Sequence, residues 1–317
     1  MSTSSQSSRL GILCVIVAMF CISMNDMLIK ALSGEYPLHQ LVFARSIIGI
    51  FFSFLILRYE GGLSLLRTAE PKLHMLRALL VVLANSAFYA SIVVLPLATA
   101  NAIYFVAPLL VTVLSIPLLG EKVGVRRLMA VVIGFAGVLL MIVPQIGGDS
   151  SDSPWAMMLP VLAAMGYAGM ALLTRRLGHR SRASALAIYL QAAFILVSVL
   201  FYLVAGDGRF VDADSNGSLV FLLRAWIVPT GADLLPMAGL GFLSAIVGYT
   251  MSQAYRLSNA SVVAPFEYVL LVFSLFWGWV IFGEWPVPAV FAGAAVVIGA
   301  GFYIFLRENR PPPVRKV

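Results

Sequence analysis

Apolar residues occur along most of the chain in runs of about twenty, separated by short polar segments. A helix needs about 20 apolar residues to cross the hydrocarbon core of a bilayer. The pattern therefore predicts ten transmembrane helices in an all-α polytopic membrane protein. They cover residues 9–32, 37–57, 75–95, 98–119, 126–144, 155–174, 184–205, 235–256, 260–282 and 287–306. Because several connections, such as residues 95–97, are very short, consecutive helices must run antiparallel in a compact bundle.

Two segments depart from this simple pattern. The longest connection, residues 206–234, contains an apolar stretch over 218–226 that is too short to span and is typical of an interfacial helix or a re-entrant piece. The first apolar run has the length of a signal peptide but no small-residue cleavage signature after it. Because it continues into Asn25, Asp26 and Lys30, we expect it to be retained as a helix.

Composition supports a membrane location. Of the 317 residues, 61% are hydrophobic and 11% are charged, whereas a soluble domain has about 25% charged residues. So few charges do not cover a water-facing surface, and most of the exterior must therefore face lipid. A net charge of +7 would favour nucleic-acid binding in a soluble protein. Here the basic residues lie in short segments between apolar runs, so we expect the lipid bilayer as a partner and no nucleic acid.

The basic residues also predict the orientation. If the N-terminus lies inside, 17 of the 21 Lys and Arg residues belong to the inner side. The outer side and its flanks then hold only Lys30, Arg45, Arg209 and Arg224. Because cytoplasmic segments carry the excess of Lys and Arg, we expect both termini in the cytoplasm and the protein in the inner (cell) membrane.

The second half of the chain resembles the first. A shift of 160 residues aligns Tyr89 with Tyr249, and a shift of 163 aligns Gly120-Glu121 with Gly283-Glu284. The chain is thus divided into a first five-helix repeat (1–149), a second (150–310) and a cytoplasmic tail (311–317). Because each repeat has an odd number of spans, the two copies insert with opposite orientation. Inverted repeats recur in secondary transporters, whose substrates bind near the bilayer midplane between the halves.

Several motifs match a known family. They are residues 95–103 (LPLATANAI), Pro108, residues 119–122 (LGEK) and residues 134–138 (GFAGV). With the five-plus-five layout they resemble the drug/metabolite transporter superfamily, EamA type, over essentially the whole chain. The resemblance implies a transporter, and it marks the family without naming the substrate.

A narrower likeness rests on polar residues and two short segments: Asn25, Asp26, Lys30, His39, Arg45, 76–80 (LRALL) and 264–268 (APFEY). These look like the members that take up S-adenosylmethionine and also like riboflavin importers. One departure concerns the prolines. Pro265 precedes Glu284 by nineteen residues, whereas Pro108 precedes Gly120 by twelve. We therefore expect the two half-sites to differ.

Asp26 and Arg45 are ionisable residues within predicted spans, where charges are costly and usually functional or paired. At 1.5 Å per residue, Asp26 lies about 9 Å below the outer end of the first span and Arg45 about 12 Å below the outer start of the second. The similar depth predicts an ion pair. It would serve either as a structural clamp between the two helices or in gating, coupling or substrate contact.

Glu267 lies about 10 Å into the ninth span from the cytoplasmic side, between Phe266 and Tyr268. Three roles remain open at this point. The carboxylate is placed to couple a proton, to contact a cationic substrate, or to pair with Arg77, which begins the third span on the same side.

An aromatic wall with a few amides would suit a planar heterocycle, through stacking and directional hydrogen bonds. The predicted substrate-binding set is Asn85, Phe88, Tyr89, Asn101, Tyr104, Tyr249, Gln253 and Glu267. Because Phe and Tyr are common in membrane helices, each ring alone also fits helix packing or an interfacial belt.

Other polar and small residues have structural interpretations. Glu121 and Glu284 open loops on opposite membrane faces, where we expect them to be solvated. Glycines in the last helix of each repeat permit close helix approach. They are Gly134 and Gly137 in the first repeat and Gly299 and Gly301 in the second.

The sequence gives little support to other classes of function. His39, His74 and His179 lie in separate loops, so a membrane-embedded lipid-modifying enzyme lacks its clustered catalytic set. Cys14 and Cys21 are too few for a metal site or a disulfide framework. The filter loop or charge ring of an ion channel and the Walker A motif of an ATP-driven pump are also not visible.

We therefore predict a protein that is not an enzyme and that needs no cofactor or metal. It is a secondary transporter of a small organic metabolite, such as an aromatic heterocycle, working by alternating access as a monomer or homodimer. An amino-acid or drug exporter of the same fold is the alternative.

Overall fold

The computed structural model describes residues 2–68, 70–120, 123–145, 155–177, 183–212, 215–257 and 264–308. Within these ranges the chain forms helices and turns and no strand. The helices are α1 (Ser2–Leu32), α2 (Leu38–Glu60), α3 (Pro71–Ile92), α4 (Leu97–Tyr104), α5 (Ala107–Leu119), α6 (Val125–Ile142), α7 (Met158–Leu177), α8 (Ala183–Ala205), α9 (Gly217–Leu223), α10 (Leu234–Leu257), α11 (Val269–Phe282) and α12 (Pro288–Glu308).

Each of the ten predicted spans is occupied by helix. Six stretches are long and apolar enough to cross a membrane by length and composition, and four shorter apolar helices cover the other predicted spans. The all-α polytopic fold is thus confirmed. Helix ends differ from the prediction by a few residues; α3, for example, begins at Pro71.

The fourth and ninth spans are not regular α-helices throughout, contrary to the prediction. The fourth consists of α4 and α5, separated at Phe105 and Val106. Pro108 lies in the first turn of α5, where its missing N–H costs no helical hydrogen bond, whereas a helix running through it would lose one. In the ninth span a 3-10 helix, Ala264–Tyr268, leads into α11.

Helices of one half pack against helices of the other half, in pairs that the repeat relates to one another. Helix α1 packs against α10, and their counterparts in the repeat, α7 and α3, pack against each other. Helix α2 packs against its own counterpart α8, and α6 against its counterpart α12. A two-fold axis in the membrane plane relates inverted repeats in this way. The domain boundaries remain a prediction, and the tail 311–317 lies outside the described residues.

Close helix approach depends on some of the predicted glycines only. A methyl group added at Gly137 would lie 2.9 Å from the Val296 side chain, and one at Gly134 or Gly301 would also collide with a neighbouring side chain. At Gly299 the same methyl would meet nothing within 4 Å. The packing role predicted for Gly299 is therefore wrong.

One end of the bundle, which we call the Lys30 end, is where α1 ends and α2 begins. There, segment 206–234 folds back and contains the short helix α9. Ser218 donates to the carbonyl of Ala90 (2.7 Å), and Phe221 is 1% exposed. Gln40 exchanges two hydrogen bonds with the backbone of Ile227 (2.6 and 3.2 Å). The segment therefore packs on the bundle and joins the two halves at this end.

Candidate functional site

Polar side chains from four helices meet inside the bundle. This group, the polar cluster, consists of Asn25 and Asp26 of α1, Arg45 of α2, Asn85 and Tyr89 of α3, and Asn101 of α4. All are buried except Asn85, which is half-buried. Ionisable residues buried within membrane spans generally face the bundle interior and mark functional sites.

Arg45 is held by neutral groups. Its guanidinium donates to the Tyr89 hydroxyl (3.2 Å) and to Asn85 Oδ1 (3.1 Å). It also lies over the rings of Tyr89 and Phe194, at 5.7 and 5.2 Å from the ring centroids, a favourable cation–π arrangement. No carboxylate among the described residues lies within 4.0 Å of it. The direct Asp26–Arg45 ion pair predicted from the sequence is therefore wrong.

Asp26 instead interacts with Arg45 at longer range. Its carboxylate lies within electrostatic range of Asn101, Tyr89 and Arg45. The Tyr89 hydroxyl accepts from Arg45 and lies 3.4 Å from the side-chain oxygen of Asn25. Tyr89 thus joins Arg45 of α2 to Asn25 of α1.

The polar cluster is tied to the second half of the chain. Asn25 donates to the carbonyl of Leu240 (3.0 Å) and to the Ser244 hydroxyl (3.3 Å), both on α10. Asn101 donates to the hydroxyl of Ser274 on α11 (3.1 Å). The cluster therefore lies where the two repeats meet.

A row of aromatic rings continues from the polar cluster. Phe88 contacts Tyr89 (5.6 Å between ring centroids) and Tyr104 (5.3 Å), and Tyr104 contacts Tyr167 of α7 (5.9 Å). Tyr167, at the end of this row, is 41% exposed.

The two interrupted spans meet beside this row. The rings of Phe105, at the end of α4, and Tyr268, before α11, are 4.9 Å apart. Glu267, next to Tyr268, is half-buried and lies within electrostatic range of Tyr104 and Tyr167. Interrupted helices that meet in this way form the substrate sites of many transporters, because their free backbone groups line a cavity.

Not every predicted residue joins the site. Tyr249 is 58% exposed, and within the described part of the chain neither it nor Gln253 has a hydrogen bond or ring contact with the cluster. Arg77, a predicted partner of Glu267, donates instead to the Thr174 hydroxyl (2.8 Å). Of the predicted set, Asn85, Phe88, Tyr89, Asn101, Tyr104 and Glu267 therefore lie together with Asp26 and Arg45.

The sequence prediction missed an ion pair at the Lys30 end. The Lys30 ammonium binds the Glu284 carboxylate and donates to the carbonyl of Leu95 (2.7 Å). The other carboxylate oxygen of Glu284 accepts from the N–H of Leu97 (3.1 Å). Glu284 is therefore not the solvated loop end that was predicted. The matching residue of the first repeat, Glu121, lies outside the described residues.

A small cavity of about 30 Å³ lies beside the polar cluster, bordered by Asn85, Phe194, His39 and Leu222 among others. This is the volume of about one water molecule in the liquid. The space on this side of the cluster therefore does not hold a metabolite in the present conformation. No group of three potential metal-binding side chains occurs in the described ranges.

The chain is similar to known transporters over much of its length. Residues 9–143 match the EamA-like transporter family. A riboflavin transporter from Rhizobium johnstonii is 29% identical over 78% of this chain and 75% of its own. An S-adenosylmethionine uptake transporter from Rickettsia prowazekii is 25% identical over 95% and 94%. A pseudopaline exporter from Pseudomonas aeruginosa is 28% identical over 92% and 94%.

A solved crystal structure shares the fold, with a TM-score of 0.61 at 19% identity over 97% of this chain and 99% of that one. The fold is therefore common to both chains from end to end. Residues 9–143 therefore resemble an EamA-like transporter domain, and the nearly full-length relatives and the shared fold extend the likeness over the rest of the chain.

Proposed function

We propose that this protein is a secondary transporter that moves a small organic metabolite across the inner membrane by alternating access, without enzymatic activity. The observation that carries the proposal is the meeting of the fourth and ninth spans at Phe105 and Tyr268 (4.9 Å), where both depart from regular α-helix, beside the half-buried Glu267. Such a site between inverted repeats becomes accessible from either side when one repeat rocks against the other.

The Lys30 end is the outer side in this proposal, because 17 of 21 basic residues then lie in the cytoplasm. The Lys30–Glu284 ion pair and the contacts of segment 206–234 hold the halves together there. The conformation described here is then the one closed to the outside. Both termini lie in the cytoplasm, and the transporter acts as a monomer or homodimer.

Export is a second candidate direction, because a relative of nearly full length is named as an exporter, whereas others are named for uptake. The same two-fold geometry is compatible with uptake and with export. The direction follows from the gradients of cargo and coupling ion and not from the site alone.

Purified protein in proteoliposomes tests the proposal. Labelled S-adenosylmethionine, riboflavin and amino acids are offered with and without a pH gradient, and in both directions by preloading the vesicles. We expect saturable movement of at least one solute above protein-free vesicles. If no organic solute moves while ions leak freely, the protein is not a transporter of this kind.

The orientation has its own test. In a variant without Cys14 and Cys21, a cysteine at Glu35 is expected to react with an impermeant maleimide added to intact cells, and one at Ser64 only after lysis. Glu35 lies in a turn and Ser64 in the short 3-10 helix Leu63–Leu66, and both are exposed. The reverse labelling pattern would place the termini outside.

A further inference from the structure

We propose that the polar cluster binds an α-amino-carboxylate group of the cargo, with Arg45 binding the carboxylate and Asp26 the ammonium. The inference rests on the transport function proposed above and narrows its cargo to metabolites with a free amino-acid end. It is carried by three features of the site: the partners of Arg45, its separation from Asp26, and the rings beyond them.

The partners of Arg45 leave it able to bind an anion. A guanidinium has five N–H donors in a planar fork that matches a carboxylate in two parallel hydrogen bonds. Within the described residues, Arg45 donates only to the neutral oxygens of Asn85 and Tyr89. A buried cation in a membrane protein is stabilised by an opposite charge, and a substrate carboxylate would supply one.

The separation of Asp26 and Arg45 fits a ligand with both charges. The two side chains lie within electrostatic range of each other but form no direct ion pair, and the guanidinium instead donates to the Tyr89 hydroxyl. In an α-amino acid the ammonium and carboxylate are attached to the same carbon. A single ligand of this kind therefore offers a carboxylate to Arg45 and an ammonium to Asp26 from adjacent positions.

The rings beyond the cluster indicate what the rest of the cargo contains. Phe88, Tyr104 and Tyr167 offer faces for a planar group. Glu267 lies within electrostatic range of Tyr104 and Tyr167 and favours a second positive charge. Among the named cargoes of the relatives, S-adenosylmethionine has an amino-acid end, a cationic sulfur and a planar base. Riboflavin has neither the amino-acid end nor a charge.

Two probes that differ only in the amino-acid end test the inference. S-adenosylhomocysteine carries it, and 5′-methylthioadenosine has the same nucleoside and thioether without it. Binding is measured as ligand-induced thermal stabilisation of the full-length protein in detergent, and as competition with labelled S-adenosylmethionine in proteoliposomes. We expect S-adenosylhomocysteine to bind about ten- to a hundredfold more tightly, as hydrogen bonds to charged groups imply.

Variants test whether Arg45 and Asp26 cause the preference for S-adenosylhomocysteine over 5′-methylthioadenosine. Arg45→Gln is expected to bring the two probes to within a few-fold of each other, whereas Arg58→Gln, on an exposed residue of the same helix, keeps the full difference. Asp26→Asn, which hardly changes the side-chain size, provides the test if Arg45→Gln does not yield folded protein.

The outcomes separate the inference from the transport function. Equal binding of the two probes, or a preference that survives both Arg45→Gln and Asp26→Asn, would overturn the inference. Uptake of riboflavin without binding of either probe would overturn it as well and leave transport standing. A preference for S-adenosylhomocysteine in a protein that moves no solute would support the site and contradict transport.

Discussion

Lys30 and Glu284 form an ion pair that joins the end of the first transmembrane helix to the segment after α11, 254 residues further along the chain. The Lys30 side chain is 8% exposed and that of Glu284 23%. The Lys30 ammonium also donates to the carbonyl of Leu95, and the Glu284 carboxylate accepts from the N–H of Leu97. The pair thus connects three segments from both halves at one end of the bundle.

Loss of the negative charge from this pair should destabilise the closed Lys30 end. Glu284→Gln removes the carboxylate that binds the buried Lys30 ammonium, which costs about 1–3 kcal/mol, and we expect a lower melting temperature in detergent. Glu35→Gln removes an exposed carboxylate near the same end and should leave the melting temperature unchanged. An unchanged melting temperature for Glu284→Gln would show that the pair contributes nothing to stability.

The packing of α6 against α12 should depend on Gly137 and not on Gly299. A methyl group at Gly137 would lie 3.0 Å from the carbonyl oxygen of Gly293, and backbone does not easily yield. Gly137→Ala should therefore lower stability by about 1–3 kcal/mol, measured by thermal unfolding. Gly299→Ala meets open space and should be neutral or slightly stabilising, since Ala favours helix over Gly. Equal effects of the two substitutions would contradict this account of the interface.

Gly301 makes room for the hydroxyl of Tyr268, which an added methyl group would contact. Because Tyr268 also packs on Phe105, Gly301→Ala should displace the junction of the interrupted helices and reduce transport. Tyr268→Phe removes the obstructing oxygen, so the double variant should recover activity relative to Gly301→Ala. A double variant as impaired as the single one would show that the effect does not pass through this contact.

The stability of the folded protein should depend on pH because of Asp233. Hydrogen bonds from Thr230 and from the Tyr36 hydroxyl (2.7 Å) hold the pKa of its carboxyl below the ordinary value. A carboxyl whose pKa is lower in the folded than in the unfolded protein stabilises the fold at pH values above its unfolded-state pKa. This stabilisation is lost as the pH falls through the folded-state pKa. Tyr36→Phe should therefore reduce the fall in melting temperature between pH 6 and about pH 3. Tyr59→Phe, on a tyrosine that is 94% exposed, should leave the fall as in the wild type.

The sequence pattern predicted much of the fold because a membrane span has a fixed length and composition. The ten helices follow from this constraint. The break between Tyr104 and Ala107 was missed because the residues around it, 103–107, are all apolar or aromatic, and Pro108 was the local signal.

The site was predicted in part. Intramembrane charges marked Asp26, Arg45 and Glu267, since few polar residues occur at such depth. Tyr249 and Gln253 were selected for residue type and depth alone, and depth does not say which way a side chain faces. The Lys30–Glu284 pair joins residues too far apart in sequence for a local pattern to connect them.

Reversible cross-linking of the Lys30 end tests alternating access most directly. In the variant without Cys14 and Cys21, cysteines replace Gly34, where an added side chain meets nothing within 4 Å, and Arg224, which donates to the Gly34 carbonyl. A cleavable bis-methanethiosulfonate linker joins them in proteoliposomes, and each single-cysteine variant treated with the linker is the control. We expect uptake to fall to the protein-free level when the link forms and to return on reduction. Undiminished uptake by fully cross-linked protein would contradict the account.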